Sequence, residues 1–188
     1  HRVRKLANEN NIVLVFDECT SGFRKNYGGL HKLYDVEPDV AMFGKALGNG
    51  YAVTAVLGKR EVMQAAEKSF ISSTFWTERI GSSAALATLK AMNKEKSWNK
   101  ITSTGEHINK EWLKLSQEYE LPITISGLSA LTTFSFKSDN ALAYKTLITQ
   151  EMLKKGFLAA TAVYVCIAHT PDIIKNYLEN LKPIFQTI

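Results

Sequence analysis

The chain has 188 residues, of which 45% are hydrophobic and 22% are charged, and its formal net charge is +5 at pH 7. This composition is typical of one or two globular domains without low-complexity segments. The positive charge does not indicate nucleic-acid binding, because basic residues are spread along the chain: residues 1–60 carry nine against six acidic residues, residues 61–120 eight against eight, and residues 121–188 six against four.

Cysteine and histidine residues are too few and too scattered to indicate a metal site or a disulfide framework. The two cysteines, Cys19 and Cys166, lie far apart, and the four histidines show no paired ligand spacing. We therefore expect no metal and a reducing, cytoplasmic setting. No apolar run approaches the length of a membrane span, so no membrane partner is expected. Residues 1–11 resemble the end of a helix and do not begin with Met, which predicts a chain that is part of something longer.

The first half of the sequence predicts a mixed sheet. Residues 12–16 form an apolar, β-branched run that is typical of a strand buried on both faces, and it ends at Asp17 and Glu18. Residues 39–43 predict a second strand and residues 53–57 a third. The nine residues between them are too few for a parallel crossover, so these two strands are predicted to be antiparallel.

The remaining elements predict helices followed by an α+β unit. Patterns of apolar residues predict helices at 59–68 and 82–92, with an irregular loop at 72–81 between them. A long helix follows, with Ile108, Trp112, Leu115 and Tyr119 on one face. The rest of the chain predicts strands at 123–126, 131–136 and 163–168, a helix at 141–154, and a last helix capped by Thr170 and Pro171. We place a domain boundary near residue 98, which divides the chain into residues 1–98 and 99–188.

A lysine between glycines follows the second strand, in the segment Gly44–Tyr51 (GKALGNGY). This segment alone is also typical of a surface lysine in a glycine-rich loop. Asp17, however, ends a neighbouring strand, and ligands of α/β folds bind at such sheet ends. An aldehyde cofactor with a ring nitrogen needs a lysine amine for the Schiff base and a buried carboxylate for the protonated ring nitrogen. The two residues therefore make pyridoxal phosphate one hypothesis for the ligand.

Several separated motifs in register resemble the class III aminotransferases, which are fold type I enzymes dependent on pyridoxal 5'-phosphate. They include FDECTSGFR at 16–24, Pro38-Asp39, FGKALGNGY at 43–51, STF at 73–75, QEMLKKGFL at 150–158 and AHTPDI at 168–173. The branch of glutamate-1-semialdehyde 2,1-aminomutase is the most similar. The resemblance implies the carboxyl-terminal part of the cofactor-binding large domain, an α/β unit with a mixed sheet, followed by a smaller α+β domain.

The resemblance also implies roles for five residues. Lys45 would be the Schiff-base lysine and the acid/base of proton transfer, and Asp17 would pair with the pyridine nitrogen. Glu18 would support the site without reacting, and Cys19 would pack on the cofactor ring. Thr74 would reach the cofactor phosphate of the other subunit, which implies a homodimer with shared active sites acting on a small-molecule amino donor and acceptor.

Departures from the family pattern leave the substrate open. The segment Trp76–Arg79 stands where the family commonly has Ser/Thr-Gly-Asn-Pro, and Thr161 lies near the place of an acidic residue of true aminomutases. The family's first half, with the phosphate-binding loop, is absent, so the fragment alone is expected to be inactive. The resemblance implies amino-group transfer of the aminomutase-like or class III aminotransferase type. The alternatives are a transaminase acting on another aldehyde or keto compound such as a sugar, a catalytically silent dimerisation fragment, and a generic phosphate-binding module. The last is disfavoured because Lys45 does not follow the spacing of a P-loop.

Overall fold

The computed structural model describes all residues, His1–Ile188, which form two compact units, His1–Trp98 and Asn99–Ile188. In chain order the elements are α1 (Arg2–Glu9), β1 (Val15–Asp17), β2 (Val40–Phe43), β3 (Ala55–Gly58), α2 (Arg60–Met63), α3 (Arg79–Glu95), α4 (Ser97–Glu118), β4 (Ile123–Ser126), β5 (Leu131–Phe136), α5 (Ala141–Lys154), β6 (Ala162–Tyr164) and α6 (Pro171–Thr187). Short 3-10 helices cover Leu30–Tyr34, Lys45–Leu47 and Gln64–Lys68. None of the helices combines the length and the apolar character needed to cross a membrane.

The sheet of the first unit is mixed, as predicted. Its strand order is β1-β2-β3. Strands β1 and β2 are parallel, with Asp17 opposite Met42, whereas β2 and β3 are antiparallel, with Phe43 opposite Ala55. The antiparallel pairing follows from the short link between the two strands, which cannot form a crossover.

Strand β1 is shorter and more exposed than its sequence predicts. Ile12 and Val13 precede the strand, and their exposed fractions are 56% and 50%, while that of Val15 is 46%. The strand begins late because the backbone N–H of Leu14 donates to the Asp39 carboxylate at 2.7 Å instead of joining a ladder. β1 is also an outermost strand of the sheet and pairs with β2 alone. The expectation of a strand buried on both faces is therefore wrong for this chain.

Helix α3 begins at Arg79, inside the segment 72–81 that the sequence predicts to be an irregular loop. A Cβ atom added to Gly81 would lie 2.6 Å from the carbonyl oxygen of Ala52, so the glycine lets this helix approach the loop before β3. Gly81 is thus a contact position within a helix, although glycine is usually a sign of a loop.

Two further boundaries differ from prediction. The helix predicted at 59–68 is one α-helical turn, α2, continued by a 3-10 helix to Lys68. The strand predicted at 163–168 ends at Tyr164, because the chain then turns, with the N–H of His169 donating to the carbonyl of Cys166 at 3.1 Å.

The second unit has its own antiparallel sheet, β4-β5-β6. Strands β4 and β5 and helix α5 have the predicted bounds. Ile108 and Trp112 of α4 are fully buried, as their helical spacing predicts, and pack in one core with Phe134 and Phe185. Helix α6 begins at Pro171, and the Thr170 hydroxyl accepts a hydrogen bond from the N–H of Ile173 at 3.4 Å, which confirms the predicted cap.

Candidate active site

Asp17 and Lys45 lie at the same edge of the first sheet, the one formed by the carboxyl ends of β1 and β2. Asp17 is the last residue of β1, and Lys45 follows the end of β2, to which β1 is parallel. The carboxyl ends of parallel strands share one edge, and Asp17 is paired with Met42, three residues before Lys45. The charge of Lys45 is one of the causes that lower the pKa of Asp17. The fold therefore brings together the two residues that the sequence singles out.

The Asp17 carboxylate is held by a hydrogen bond from Cys19. Its Oδ1 accepts a hydrogen bond from the backbone N–H of Cys19 at 2.9 Å. Hydrogen bonds from the backbone and thiol of Cys19 are the main cause that lowers the pKa of Asp17, and Lys45 adds to them. Asp17 is exposed in this chain, so the expectation of a buried carboxylate is not met. The carboxylate is nevertheless ionised at neutral pH and able to accept a proton donor at Oδ2.

Lys45 stands at a tight turn directly after β2. Its φ of 44° lies in the left-handed region, which is uncommon for a residue with a side chain. The turn is closed by hydrogen bonds from Leu47 N to the Gly44 carbonyl at 3.0 Å and from Asn49 N to the Lys45 carbonyl at 2.9 Å. The exposed side chain donates from Nζ to the hydroxyl oxygen of Thr20. Such strained backbone positions are concentrated at functional sites.

Cys19 lies between the two strands' ends. A Cβ atom built on Gly44 would meet the Cys19 Sγ at 3.5 Å, so the thiol is in contact with the start of the lysine turn. Burial raises the pKa of the Cys19 thiol, and the neighbouring Asp17 carboxylate raises it further. The thiol is therefore neutral at pH 7 and behaves as a small apolar side chain, which is the property that a contact with a flat ring requires.

Glu18 points away from solvent and organises the loop after β1. It is 4% exposed, and its Oε1 accepts from the backbone N–H of His31 at 3.0 Å and contacts His31 Nδ1 at 2.9 Å. Its Oε2 accepts from the Ser21 hydroxyl. Burial acts to raise the pKa of Glu18, but hydrogen bonds from Ser21, His31 and Leu30 outweigh it, and the net shift is downward.

Thr74 lies in an exposed turn before α3, and no hydrogen bond joins it to Asp17, Cys19 or Lys45. The segment around it exposes large apolar side chains: the exposed fractions are 95% for Phe70, 51% for Phe75 and 68% for Trp76. The structure thus groups Asp17, Cys19 and Lys45 at one sheet edge, with the buried Glu18 next to them in the chain. Thr74 lies on a separate surface segment.

The sequence pattern assigns no role to Thr20, Ser21 or His31, which the structure links to Lys45 and Glu18. Ser21 lies three residues after Glu18, a spacing that is typical of a local side-chain hydrogen bond. Nothing in the sequence pattern indicates the contacts of Thr20 and His31, because each depends on the path of an irregular loop.

A cavity of about 760 Å³ lies elsewhere in the first unit. Its apolar wall includes Ala41, Phe43, Ala55 and Leu57, which alternate along β2 and β3 and therefore share one face of the sheet. Neither Asp17 nor Lys45 lines this cavity. Asp17 and Lys45 thus lie at the sheet edge and not in the cavity.

The residues at the sheet edge fit pyridoxal phosphate. An ionised carboxylate suits a ring nitrogen that carries a proton, and an exposed amine on a short, fixed turn suits a covalent bond with an aldehyde. Cys19 adds a neutral, half-buried contact beside them. The donor set contains no group of three His, Cys, Asp or Glu residues that could hold a metal ion.

The sequence model of the family "Aminotransferase class-III" matches residues 1–180, and the chain belongs to this family. It is 34% identical over 186 residues to the 3-aminobutyryl-CoA aminotransferase of Cloacimonas acidaminovorans (strain Evry), covering 96% of this chain and 45% of that protein. It is 31% identical over 198 residues to the glutamate-1-semialdehyde 2,1-aminomutase of Nitrosopumilus maritimus (strain SCM1), covering 94% of this chain and 46% of that protein. The chain thus spans about half the length of these relatives.

Solved structures with the same fold are transaminases and related proteins. The FumI protein of Sphingopyxis sp. MTA144, in its internal aldimine form with pyridoxal phosphate, superimposes with a TM-score of 0.90 at 24% identity, covering 98% of this chain and 45% of that one. An omega-transaminase from Sphaerobacter thermophilus gives a TM-score of 0.87 at 20% identity, with 98% and 46% covered. The fold is that of pyridoxal-phosphate-dependent transaminases, and pyridoxal phosphate is the cofactor of this family.

Proposed function

We propose that this chain belongs to an enzyme that transfers amino groups with pyridoxal 5'-phosphate attached to Lys45 through a Schiff base. The observation that carries the proposal is the placement of Asp17 and Lys45 at one sheet edge, close enough for the lysine charge to lower the pKa of the carboxyl group. An ionised carboxylate close to a lysine with left-handed backbone supports this proposal over a silent fragment, because such backbone positions are concentrated at functional sites.

Each residue has a distinct task in this mechanism. Pyridoxal phosphate supplies an aldehyde that takes up amino groups and a ring that accepts the electrons of the broken Cα bond. Asp17, whose Oδ1 accepts from the N–H of Cys19, would hold the ring nitrogen through Oδ2. Lys45 Nζ would hold the cofactor through its aldehyde carbon, and the same amine would take the proton from the substrate Cα.

Glu18 and Cys19 position these groups. Glu18 holds the loop through Ser21 and His31, so the short stretch that carries Cys19 and Thr20 has one path. Cys19, whose thiol stays neutral, packs on the face of the ring. Neither residue exchanges a proton with the substrate in this mechanism.

Thr74 completes the site of a second subunit in this proposal. A hydroxyl and backbone N–H groups are suitable donors for a phosphate. The exposed aromatic residues Phe70, Phe75 and Trp76 on the same segment are typical of a surface that is covered in an assembly. These features support a homodimer in which the Thr74 segment lies against the partner's cofactor.

The two units correspond, in this proposal, to parts of a complete enzyme. Residues 1–98 form the carboxyl-terminal part of the cofactor-binding large domain, and residues 99–188 form the smaller α+β domain. In this proposal the chain alone is inactive, because it spans about half the length of the relatives that it matches. Its two cysteines are free, which suits a cytoplasmic enzyme.

We favour transfer between two molecules over an internal shift within glutamate-1-semialdehyde. Thr161, near the place where the aminomutases have an acidic residue, is buried and carries no charge. The chain also resembles two proteins named for intermolecular transfer, the 3-aminobutyryl-CoA aminotransferase and, at 28% identity, the 2'-deamino-2'-hydroxyneamine transaminase of Streptomyces kanamyceticus. The aminomutase reaction is the second candidate, because glutamate-1-semialdehyde 2,1-aminomutases recur among the relatives.

The two reactions differ in their need for a second substrate. We would give the complete, cofactor-loaded enzyme glutamate-1-semialdehyde alone, and separately panels of amino donors with aldehyde or keto acceptors, and quantify amino products by mass spectrometry. A product that forms only from donor–acceptor pairs supports a transaminase. Formation of 5-aminolevulinate from glutamate-1-semialdehyde alone supports the aminomutase. Absence of both reactions and of cofactor binding would favour the silent fragment.

A further inference from the structure

The hydroxyl group of Thr20 is the hydrogen-bond acceptor of the Lys45 amine. The two residues are 25 positions apart and meet because each occupies a tight turn beyond the end of a parallel strand. The contact does not follow from the expected cofactor chemistry, which assigns tasks to Asp17 and Lys45 and none to Thr20.

The backbone around Thr20 is fixed on both sides. Before it, the N–H of Cys19 donates to Asp17 Oδ1 at 2.9 Å. After it, the Ser21 hydroxyl donates to Glu18, and the N–H of Gly22 donates to the Glu18 carbonyl at 2.8 Å. A hydroxyl on a stretch held in this way has little freedom to follow a moving amine, so it defines a fixed acceptor position.

The lysine needs such an acceptor because its own stem is flexible. Four rotatable bonds separate the amine from the backbone, and the side chain is exposed. A direct ion pair with Asp17 would also hold the amine, but it would occupy the carboxylate and favour the protonated amine. The neutral Thr20 oxygen takes one N–H and leaves Asp17 available.

We propose that Thr20 is a positioning residue that holds the free Lys45 amine at the sheet edge whenever the amine is not bonded to the cofactor. This inference rests on the proposed function, in which Lys45 is released during each turnover and then acts on the substrate Cα. An amine that donates one N–H to Thr20 keeps its lone pair for the proton that it has to take. Loss of the hydroxyl therefore slows proton transfer without removing a group that touches the substrate.

The first test uses the complete enzyme without cofactor. The rate at which trace acetic anhydride labels Lys45 at fixed pH is measured by peptide mass spectrometry in wild type, Thr20→Val, Thr20→Ala and Thr20→Ser. We expect labelling to be about three- to fivefold faster in the Val and Ala variants, because the amine is no longer held, and unchanged in the Ser variant. Thr146→Val, an exposed threonine on α5, is the matched control and should label as wild type does. Thermal melting of all variants checks the fold.

The second test uses the cofactor-loaded enzyme. We expect the Val and Ala variants to show kcat reduced about tenfold, with KM for the amino donor unchanged, and the Ser variant to restore kcat. Equal labelling rates in all variants, with Lys45 still carrying the pyridoxyl group after borohydride reduction, would overturn the role of Thr20 and leave the proposed function intact. A wild-type enzyme with no pyridoxyl group on Lys45 would overturn both, even if the labelling rates differed.

Discussion

Buried Glu18 and half-buried His31 form a pair in which the carboxylate oxygen Oε1 of Glu18 lies 3.0 Å from the backbone nitrogen of His31 and 2.9 Å from its Nδ1. The pair ties the loop after β1 to the 3-10 helix at Leu30–Tyr34. Because Asp17 precedes Glu18 and Thr20 follows it closely, this pair sets the path of the chain between the two groups of the candidate site.

Replacement of Glu18 by Gln should destabilise the protein in a pH-dependent way. The native pKa of Glu18 is below its ordinary value, so its stabilisation is present above the unfolded pKa and is lost as pH falls through the native pKa. We expect a cost of about 1–3 kcal/mol at pH 7 that shrinks between about pH 5 and pH 3. Urea unfolding of wild type and variant across this range measures it.

The control for this experiment is Glu9→Gln, which removes an exposed carboxylate 3.7 Å from Lys5. It should change the free energy of unfolding by less than about 1 kcal/mol. A Glu18→Gln cost that stayed constant from pH 7 to pH 3 would show that the charge of Glu18 does not support the loop.

Asp39 should matter more to stability than either of its basic partners. Its carboxylate accepts from Leu14 N at 2.7 Å, Arg4 Nη1 at 2.8 Å and Lys59 Nζ at 2.7 Å. These bonds, the one from Leu14 foremost, hold the pKa of Asp39 well below its usual range. Asp39→Asn leaves Arg4, whose side chain is 17% exposed, without a counter-charge, and should cost about 1–3 kcal/mol.

Lys59→Met is the matched variant for Asp39, since the Lys59 side chain is 47% exposed. Its cost should be below about 1 kcal/mol. Equal losses for the two variants in urea unfolding would mean that the contact with Leu14 and Arg4 does not define the start of β1.

Asp17→Asn should impair catalysis without harming the fold. The amide oxygen of Asn can still accept the hydrogen bond from Cys19 N, but the negative charge that would face the ring nitrogen in the proposed mechanism is lost. We expect the rate of amino transfer by the complete enzyme to fall by about 100-fold or more, with an unchanged melting temperature. Asp35→Asn, at an exposed left-handed position that Asn tolerates, is the control. Full activity of Asp17→Asn would remove Asp17 from the site.

The task given to Thr74 can be checked by mixing two inactive variants of the complete enzyme, Lys45→Ala and Thr74→Val. If Thr74 serves the partner's site, the mixed dimer contains one intact site and one site that lacks both groups. Random exchange of subunits should then restore about one quarter of wild-type activity, because half of the dimers are mixed and each has half its sites. No recovery after verified exchange would place Thr74 in its own subunit's site, and a Thr74→Val variant that is fully active by itself would place Thr74 outside any site.

The regular elements and the placement of Asp17 and Lys45 follow from local sequence signals. The bounds of β4, β5 and α5 agree with their patterns, and the cap at Thr170 is explicit in the sequence. Asp17 and Lys45 could be brought together from sequence because strand ends and a glycine-rich turn are local features, although their roles depend on the family resemblance.

The sequence does not indicate the contacts that irregular segments make or the features that depend on packing. The Thr20–Lys45 and Glu18–His31 contacts join loops without periodicity. The sequence pattern places Gly81 in a loop, but the residue lies in α3. The close approach of Ala52 explains a glycine at this helical position, and the sequence does not show that contact. The exposure of β1 depends on which elements cover it, and a run of apolar residues carries no information about that.

The most direct test of the central claim is borohydride reduction of the complete, cofactor-loaded enzyme followed by peptide mass spectrometry, with Lys45→Ala as the matched variant. We expect a pyridoxyl group on the peptide that contains Lys45 in wild type and none in the variant. A pyridoxyl group on another lysine such as Lys59, or equal labelling of the Lys45→Ala variant, would contradict the account.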